Sequence, residues 1–138
     1  DFEDMAWAYF ERAAADNVVH AELFFDPQTH TDRGVPFDVV IKGLSRACVR
    51  AKAELGVSAS LIMCFLRDHS VESAEETLAA SLPYRDRILG VGLDSDERGN
   101  PPEKFAAVFD AAKQAGYRLT MHCDIDQEQS MVATTPEA

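Results

Sequence analysis

A histidine followed by carboxylates stands near the end of this chain, where a short apolar run stops. His122 comes directly after Tyr117–Met121 and is succeeded by Asp124 and Asp126. A neutral imidazole binds Zn²⁺ well, and a carboxylate a few residues on could move protons for a water molecule that the metal activates. His122 is therefore a candidate metal ligand, with Asp124 and Asp126 as candidate proton carriers. The alternative is a strand-end histidine bonded to the backbone, since a zinc site takes three or four protein groups.

Other polar side chains follow the earlier apolar runs in the same way. They are Asp26, Gln28 and His30; Arg67, Asp68 and His69; and Asp94, Ser95, Asp96 and Glu97. Loop polarity is expected in any case, so the clustering fits an active site and a solvated surface about equally. The chain has no HxH, HxxH or HExxH pair, no GxGxxG after a strand, no GxxxxGK[ST] and no GxSxG. Readings as a nucleotide-binding loop or a serine hydrolase therefore have no motif support.

Apolar spacing predicts the elements that would hold these side chains. Strands are predicted at Val18–Phe25, Leu61–Leu66, Ile88–Leu93 and Tyr117–Met121. Helices are predicted over 2–15, from Pro36 to Leu55, from the Ser70 cap to about Leu82, and from Pro101 to a stop at Gly116. The segment 26–34 is rich in turn-forming residues and is predicted to be a long loop.

This alternation predicts an α/β fold with parallel strands and right-handed crossovers. Ligands collect at the carboxyl ends of such strands. An open doubly wound sheet and a (β/α)₈ barrel have the same local pattern, so periodicity leaves both open. Four strands do not close a barrel of eight, and a barrel would need partners beyond both ends of the chain. The first residue is Asp1 rather than Met, which agrees with a truncated or processed chain.

Composition narrows the class of protein. The 138 residues suffice for one domain, and no apolar run approaches the ~20 residues that a membrane span needs. A net charge of −11 argues against binding to a nucleic-acid backbone. The three cysteines, Cys48, Cys64 and Cys123, have no close spacing. They indicate neither a disulfide framework nor a metal knuckle, and they favour a reducing cytoplasm, with Cys48 and Cys64 as small core residues.

Several segments of the sequence resemble those of a known family. They are the run 20–34 (HAELFFDPQTHTDRG), the run 64–67 (CFLR), the run 90–95 (GVGLDS) with Glu97, and Pro101-Pro102 with Phe105. In order and spacing they resemble the adenosine/adenine deaminase family of the amidohydrolase superfamily, and they are most similar to its adenine deaminase branch. The resemblance runs to about Gln129.

The resemblance implies a zinc-dependent (β/α)₈ TIM barrel that hydrolyses the 6-amino group of an aminopurine and releases ammonia. About four βα units of that barrel are present. His122 matches the metal-binding histidine of the family's His-Ala-Gly-Glu motif. Asp94, Ser95 and Glu97 match the loop that contacts the purine, so they are the predicted substrate-binding residues.

The sequence departs from the family in its last part. The glutamate that protonates the purine ring in the family is replaced by Ile125, within His122-Cys123-Asp124-Ile125. Asp124 or Asp126 could replace that acid. The family's HxH pair and its later histidine and aspartate ligands are absent. We assign residues 1–129 to the central part of an incomplete barrel domain and 130–138 to an atypical C-terminal tail.

Two functional hypotheses follow. In the first, the parent protein is a zinc aminohydrolase of an aminopurine or of a related aminated heterocycle, and this chain alone is inactive. In the second, the chain is a non-catalytic α/β module that binds a small molecule or a partner subunit at the same strand ends. Neither hypothesis predicts an oligomeric state.

Overall fold

Parallel strands and helices alternate along the chain in the computed structural model, which describes residues 1–122. The strands are β1 (His20–Phe25), β2 (Ser58–Leu66), β3 (Gly90–Asp94) and β4 (Arg118–Leu119). The α-helices are α1 (Phe2–Ala15), α2 (Pro27–Thr31), α3 (Phe37–Leu55), α4 (Val71–Ser81) and α5 (Ala106–Gln114). Two 3₁₀ turns, Leu82–Arg87 and Pro102–Phe105, precede β3 and α5.

The sheet has the order β1-β2-β3-β4, and every pair of neighbours is parallel. Each of the four described strands therefore lies beside the next one in the chain, and their order does not reverse. A doubly wound sheet requires such a reversal, whereas a barrel adds its strands in sequence. The sheet is thus part of a (β/α)₈ barrel.

One hydrophobic core lies between the helices and one face of the sheet. Strand residues Leu61, Met63 and Phe65 are almost fully buried there, as are Val91 and Leu93. Helix residues from all four long helices join the same cluster: Ala6, Phe10, Val40, Ile41, Leu44, Ala74, Leu78, Val108, Phe109 and Ala112. Sequential right-handed crossovers place all helices on the same side of a sheet, which leaves the other side for the site.

The opposite face of the sheet carries the second set of alternating residues. A Cβ built on Gly92 would lie 2.7 Å from the Cys64 sulfur and 3.7 Å from Cγ2 of Thr120, so these residues share that face. Phe24 of β1 is 60% exposed on the same side. In a closed barrel this face lines the interior.

Local signals explain most element boundaries. Helix α3 ends at Gly56, whose φ of 71° is the left-handed conformation that glycine adopts without a Cβ clash. The Ser70 hydroxyl accepts a hydrogen bond from the Ser73 amide and begins α4. The predicted loop 26–34 is wrong in part, because Pro27 opens the short helix α2.

Among the described residues, none of the helices combines the length and apolar character that crossing a bilayer requires.

Candidate active site

The carboxyl ends of the four strands bring together the side chains that the sequence separates. Asp26 follows β1, Arg67 follows β2, Asp94 ends β3, and His122 follows β4 within three residues. The strands are paired in parallel, with Phe25 opposite Met63 and Leu66 opposite Asp94. These ends therefore form one edge of the sheet, where ligands bind in folds of this type.

The His122 ring lies between two carboxylates. Nδ1 is 2.9 Å from Oε1 of Glu97, and Nε2 is 3.0 Å from Oδ1 of Asp94. A neutral imidazole has only one N–H, so it cannot donate to both carboxylates. Two carboxylates around one ring are satisfied when a cation or a second proton lies at one of its nitrogens. Glu97 is 3% exposed as a side chain, whereas Asp94 is 43% exposed, so the Nε2 side is the accessible one.

Arg67 and Glu97 form a buried ion pair behind the ring. Nη1 of Arg67 lies 3.3 Å from Oε1 of Glu97, and the side chains are 1% and 3% exposed. The same Nη1 donates to the His122 carbonyl at 3.1 Å, and Nε donates to the Asn100 carbonyl at 3.1 Å. The guanidinium thus joins the ends of β2 and β4 to the loop after β3.

The loop after β3 is held in an uncommon backbone conformation. Ser95 has φ 79°, a region that non-glycine residues seldom occupy. Its amide donates to Oδ1 of Asp94 at 2.9 Å. Strained residues of this kind cluster at functional sites. Here the backbone conformation of Ser95 bends the chain where β3 reaches the site.

Asp26 and Cys64 extend the site towards β1. One ligand atom from each of Asp26, Cys64 and Asp94 lies within 4.8 Å of the others. Oδ1 of Asp26 is buried without a hydrogen-bond partner among the described residues. Burial, and then the charge of Asp94, raises the pKa of Asp26 above its ordinary value. When two carboxylates lie this close, the negative charge of one makes ionisation of the other less favourable.

Burial also sets the chemistry of the cysteine. It raises the pKa of the Cys64 thiol to about 12, with smaller contributions from Asp26 and Asp94. The thiolate is the form that attacks electrophiles and binds metals. Cys64 is therefore a neutral, inert thiol near pH 7. It is buried as predicted, but on the sheet face opposite the helices, beside Gly92.

The predicted site residues fall into three groups. His122, Asp94 and Glu97 are joined by hydrogen bonds, and Ser95 lies in the same loop. Asp124 and Asp126 lie outside the described residues, as does the predicted tail 130–138, so these assignments stay predictions. In the sequence, Arg67 and Asp26 stand out only as polar loop residues, and the pairing of Arg67 with Glu97 is not apparent. The available signal was an arginine placed directly after the apolar run Leu61–Leu66.

A cavity opens beside this group on the barrel-interior face. Its lining includes Phe24, Cys64, Gly92, Asp94 and His122. Small-molecule sites in proteins have apolar walls with a few polar groups, and this cavity has that composition.

Known proteins are similar to this chain in sequence and in backbone structure. Residues 1–133 match the adenosine deaminase family. An adenine deaminase of Geotalea uraniireducens is 63% identical over 122 residues, which cover 88% of this chain and 34% of that protein. An uncharacterized deaminase of Schizosaccharomyces pombe is 55% identical over 130 residues, which cover 94% of this chain and 38% of that protein.

Solved structures agree with the sequence matches. The crystal structure of an adenine deaminase from Arthrobacter aurescens superposes with a TM-score of 0.86 at 47% identity, covering 89% of this chain and 38% of that one. An amidohydrolase from Burkholderia ambifaria, solved with bound Zn, has a TM-score of 0.84 at 32% identity and covers 89% and 34%.

The matches are consistent over nearly all of the chain, while the chain spans only 34% to 38% of the length of these four proteins. The chain belongs to the adenosine deaminase family.

Proposed function

We propose that these residues are the central part of a (β/α)₈ enzyme that hydrolyses the 6-amino group of an aminopurine, with adenine as the first substrate to test. The observation that carries the proposal is the His122 ring, whose Nε2 faces Asp94 at the interior edge of the sheet. The relatives described as adenine deaminases, at 63% and 47% identity, support the choice of substrate.

The side chains at this edge fit a zinc ion by their donor chemistry. Imidazole nitrogen and carboxylate oxygen are both zinc ligands. Nε2 of His122 and Oδ1 of Asp94 approach to 3.0 Å, and a neutral imidazole leaves one nitrogen lone pair directed at a carboxylate unless a cation or proton intervenes. His122 would be the ligand from this part of the chain. Further ligands would come from the rest of the full-length protein, by which we mean the natural polypeptide that contains these 138 residues.

The proposed reaction adds water across C6 of the purine and releases ammonia, so the C6–N bond breaks and a C6–O bond forms. A bound Zn²⁺ supplies Lewis acidity and lowers the pKa of water. Asp94 lies at the accessible side of His122, where it can accept a proton or orient the attacking water. Ser95 and the loop after β3 would contact the purine edge. Asp124 or Asp126 would protonate the ring nitrogen, in place of the acid that Ile125 does not supply.

The proposed function also concerns the domain extent, the ligand and the location of the enzyme. Residues 1–129 would be barrel and 130–138 a tail of different character. The ligand would be a small aminopurine in the cytoplasm, with neither nucleic acid nor membrane as a partner, and the oligomeric state is left open. This chain alone would be inactive, because one histidine does not complete a zinc site.

The test compares the full-length protein with the 138-residue chain. Both are analysed for metal and assayed for ammonia release from adenine and adenosine with added Zn²⁺. We expect about one zinc per full-length chain, turnover of an aminopurine by that protein, and none by the shorter chain. A zinc-loaded full-length protein that is silent on every aminopurine would contradict the substrate assignment. Turnover by the shorter chain would contradict its inactivity.

The same measurement distinguishes the proposed enzyme from the non-catalytic alternative. A small-molecule binding module would bind adenine without tightly held metal and without releasing ammonia. A related aminated heterocycle as the true substrate would show as metal-loaded protein that releases ammonia from that compound and from no aminopurine.

A further inference from the structure

Two fully buried charges lie behind His122, and their burial needs an explanation. The side chains of Arg67 and Glu97 are 1% and 3% exposed. Removing two ions from water is unfavourable, and replacing such a pair by apolar residues is often neutral or stabilising. The pair is therefore poorly explained as a device for stability alone.

The contacts of the pair converge on one residue. Oε1 of Glu97 lies 2.9 Å from Nδ1 of His122, and Nη1 of Arg67 donates to the His122 carbonyl at 3.1 Å. The pair closes on itself, since the same Nη1 lies 3.3 Å from the same Oε1. His122 is thus held twice, once by its ring and once by its main chain.

Arg67 is itself held rigidly by its neighbours. Its amide donates to the Asp94 carbonyl at 2.9 Å, and its Nε donates to the Asn100 carbonyl at 3.1 Å. Lys104 Nζ donates to the Arg67 carbonyl at 2.9 Å and to Oδ1 of Asn100 at 3.0 Å. The guanidinium is therefore held in place by several contacts. Through it, the Glu97 carboxylate and the His122 carbonyl are held in fixed positions as well.

We propose that Arg67 and Glu97 are positioning residues that hold the His122 ring with its proton on Nδ1, so that the Nε2 lone pair faces the interior edge of the sheet. The proposal rests on the proposed function for its consequence, metal binding, but its geometry does not depend on it. A carboxylate behind a ligating histidine fixes the tautomer and ring orientation, and loss of such a partner typically weakens metal binding by about 10- to 100-fold.

This role differs from the substrate contact that the resemblance to the deaminase family implies for Glu97. The buried carboxylate directs Oε1 at Nδ1 of His122 and at Nη1 of Arg67. It acts on the reaction through His122, so its loss should reduce zinc affinity and kcat together and change KM little. A substrate contact would instead show mainly in KM.

The test uses the full-length protein with both charges replaced, as Arg67→Met/Glu97→Leu. We expect thermal stability equal to or above that of the wild type. We also expect zinc affinity about 10- to 100-fold weaker. In the metal-free protein, ¹⁵N spectra of the histidine rings under mildly alkaline conditions should report Nδ1–H for His122 in the wild type and a mixture of tautomers in the variant. Glu97→Gln, which is nearly isosteric, carries the same measurements if the double variant fails to fold.

A matched control is available on the outer surface. Arg46 and Glu3 form an ion pair at 2.6 Å between α3 and α1, away from the site. Glu3→Gln should leave the zinc affinity and the His122 tautomer unchanged. This control separates loss of any ion pair from loss of this one.

Three outcomes would overturn the proposal: a folded double variant with wild-type zinc affinity, an unchanged His122 tautomer, or a rise in KM with zinc affinity intact. A wild-type protein that binds no zinc and releases no ammonia would refute the proposed function. In that case the tautomer in the metal-free protein still decides the positioning role independently.

Discussion

Oε1 of Glu97 lies 2.9 Å from Nδ1 of His122, although the two residues are 25 positions apart in the chain. One is almost fully buried and the other is one-third exposed. The hydrogen bond therefore links the protein interior to the accessible edge of the sheet. It leaves Nε2 as the ring atom that faces the space where a ligand would lie.

The two candidate acids are distinguished by single substitutions in the full-length protein. We expect either Asp124→Asn or Asp126→Asn to lower kcat by about 10²- to 10⁴-fold, the range for losing a positioned general acid. Zinc content should stay at the wild-type level, because neither residue is assigned to the metal. Steady-state ammonia release and metal analysis measure both quantities. Full activity in both variants would assign the proton transfer to another residue.

The strained Ser95 predicts a gain of stability on substitution by glycine. Ser95 has φ 79°, and glycine occupies this region without a Cβ clash. We expect Ser95→Gly to stabilise the fold by about 1 kcal/mol, which is the strain relieved less the extra chain entropy of glycine. Chemical denaturation measures the change.

Ser95→Ala is the matched control, because it removes the hydroxyl and keeps the strain. If the hydroxyl contacts the substrate, both variants raise KM, while only the glycine variant gains stability. Equal stabilities for the two variants would show that φ at this position carries little strain.

Close packing at Gly92 predicts a specific steric conflict. A Cβ on Gly92 would lie 2.7 Å from Sγ of Cys64, and its next neighbours are 3.7 Å away. We expect Gly92→Ala to destabilise the protein by about 1–3 kcal/mol, because the added methyl group would overlap the Cys64 sulfur. Adding Cys64→Ala removes the conflicting sulfur and should restore most of the loss. Denaturation of the two single variants and the double variant tests this, and purely additive effects would contradict it.

The buried thiol predicts a loss of stability at alkaline pH. Burial raises the pKa of Cys64 to about 12 from an ordinary value of 9.0. A group whose pKa is higher in the folded state stabilises the fold fully below the unfolded value, and this contribution is lost as the pH rises through the folded value. The window is therefore from about pH 9 to about pH 12.

Denaturation at about pH 8 and about pH 10, which bracket the ordinary thiol pKa, measures the effect. Wild-type protein should lose more stability between these values than Cys64→Ala, which lacks the thiol. The same pH dependence in both proteins would contradict the assignment. Cys48, whose pKa burial raises to about 11, should make a smaller contribution in the same direction.

Local sequence signals determined most of the elements. Apolar spacing predicted the helix over 2–15 with the bounds observed, and Ser70 and Gly56 begin and end helices as predicted. These features depend on neighbours within a few residues, so the sequence contains the whole interaction. Strand bounds were less well predicted, and β4 is only two residues long, because strand length depends on pairing with a partner far away in the chain.

The sequence alone also indicated the deaminase family and placed His122, Asp94, Ser95 and Glu97 at strand ends. Only the tertiary structure decided between a barrel and a doubly wound sheet, since strand order is a matter of long-range pairing. It alone joined Arg67, Glu97 and His122, which follow three different strands. Hydrogen bonds and burial depend on residues that are distant in the chain. The tertiary structure therefore decides that Arg67 and Glu97 are buried while one side of the His122 ring stays accessible.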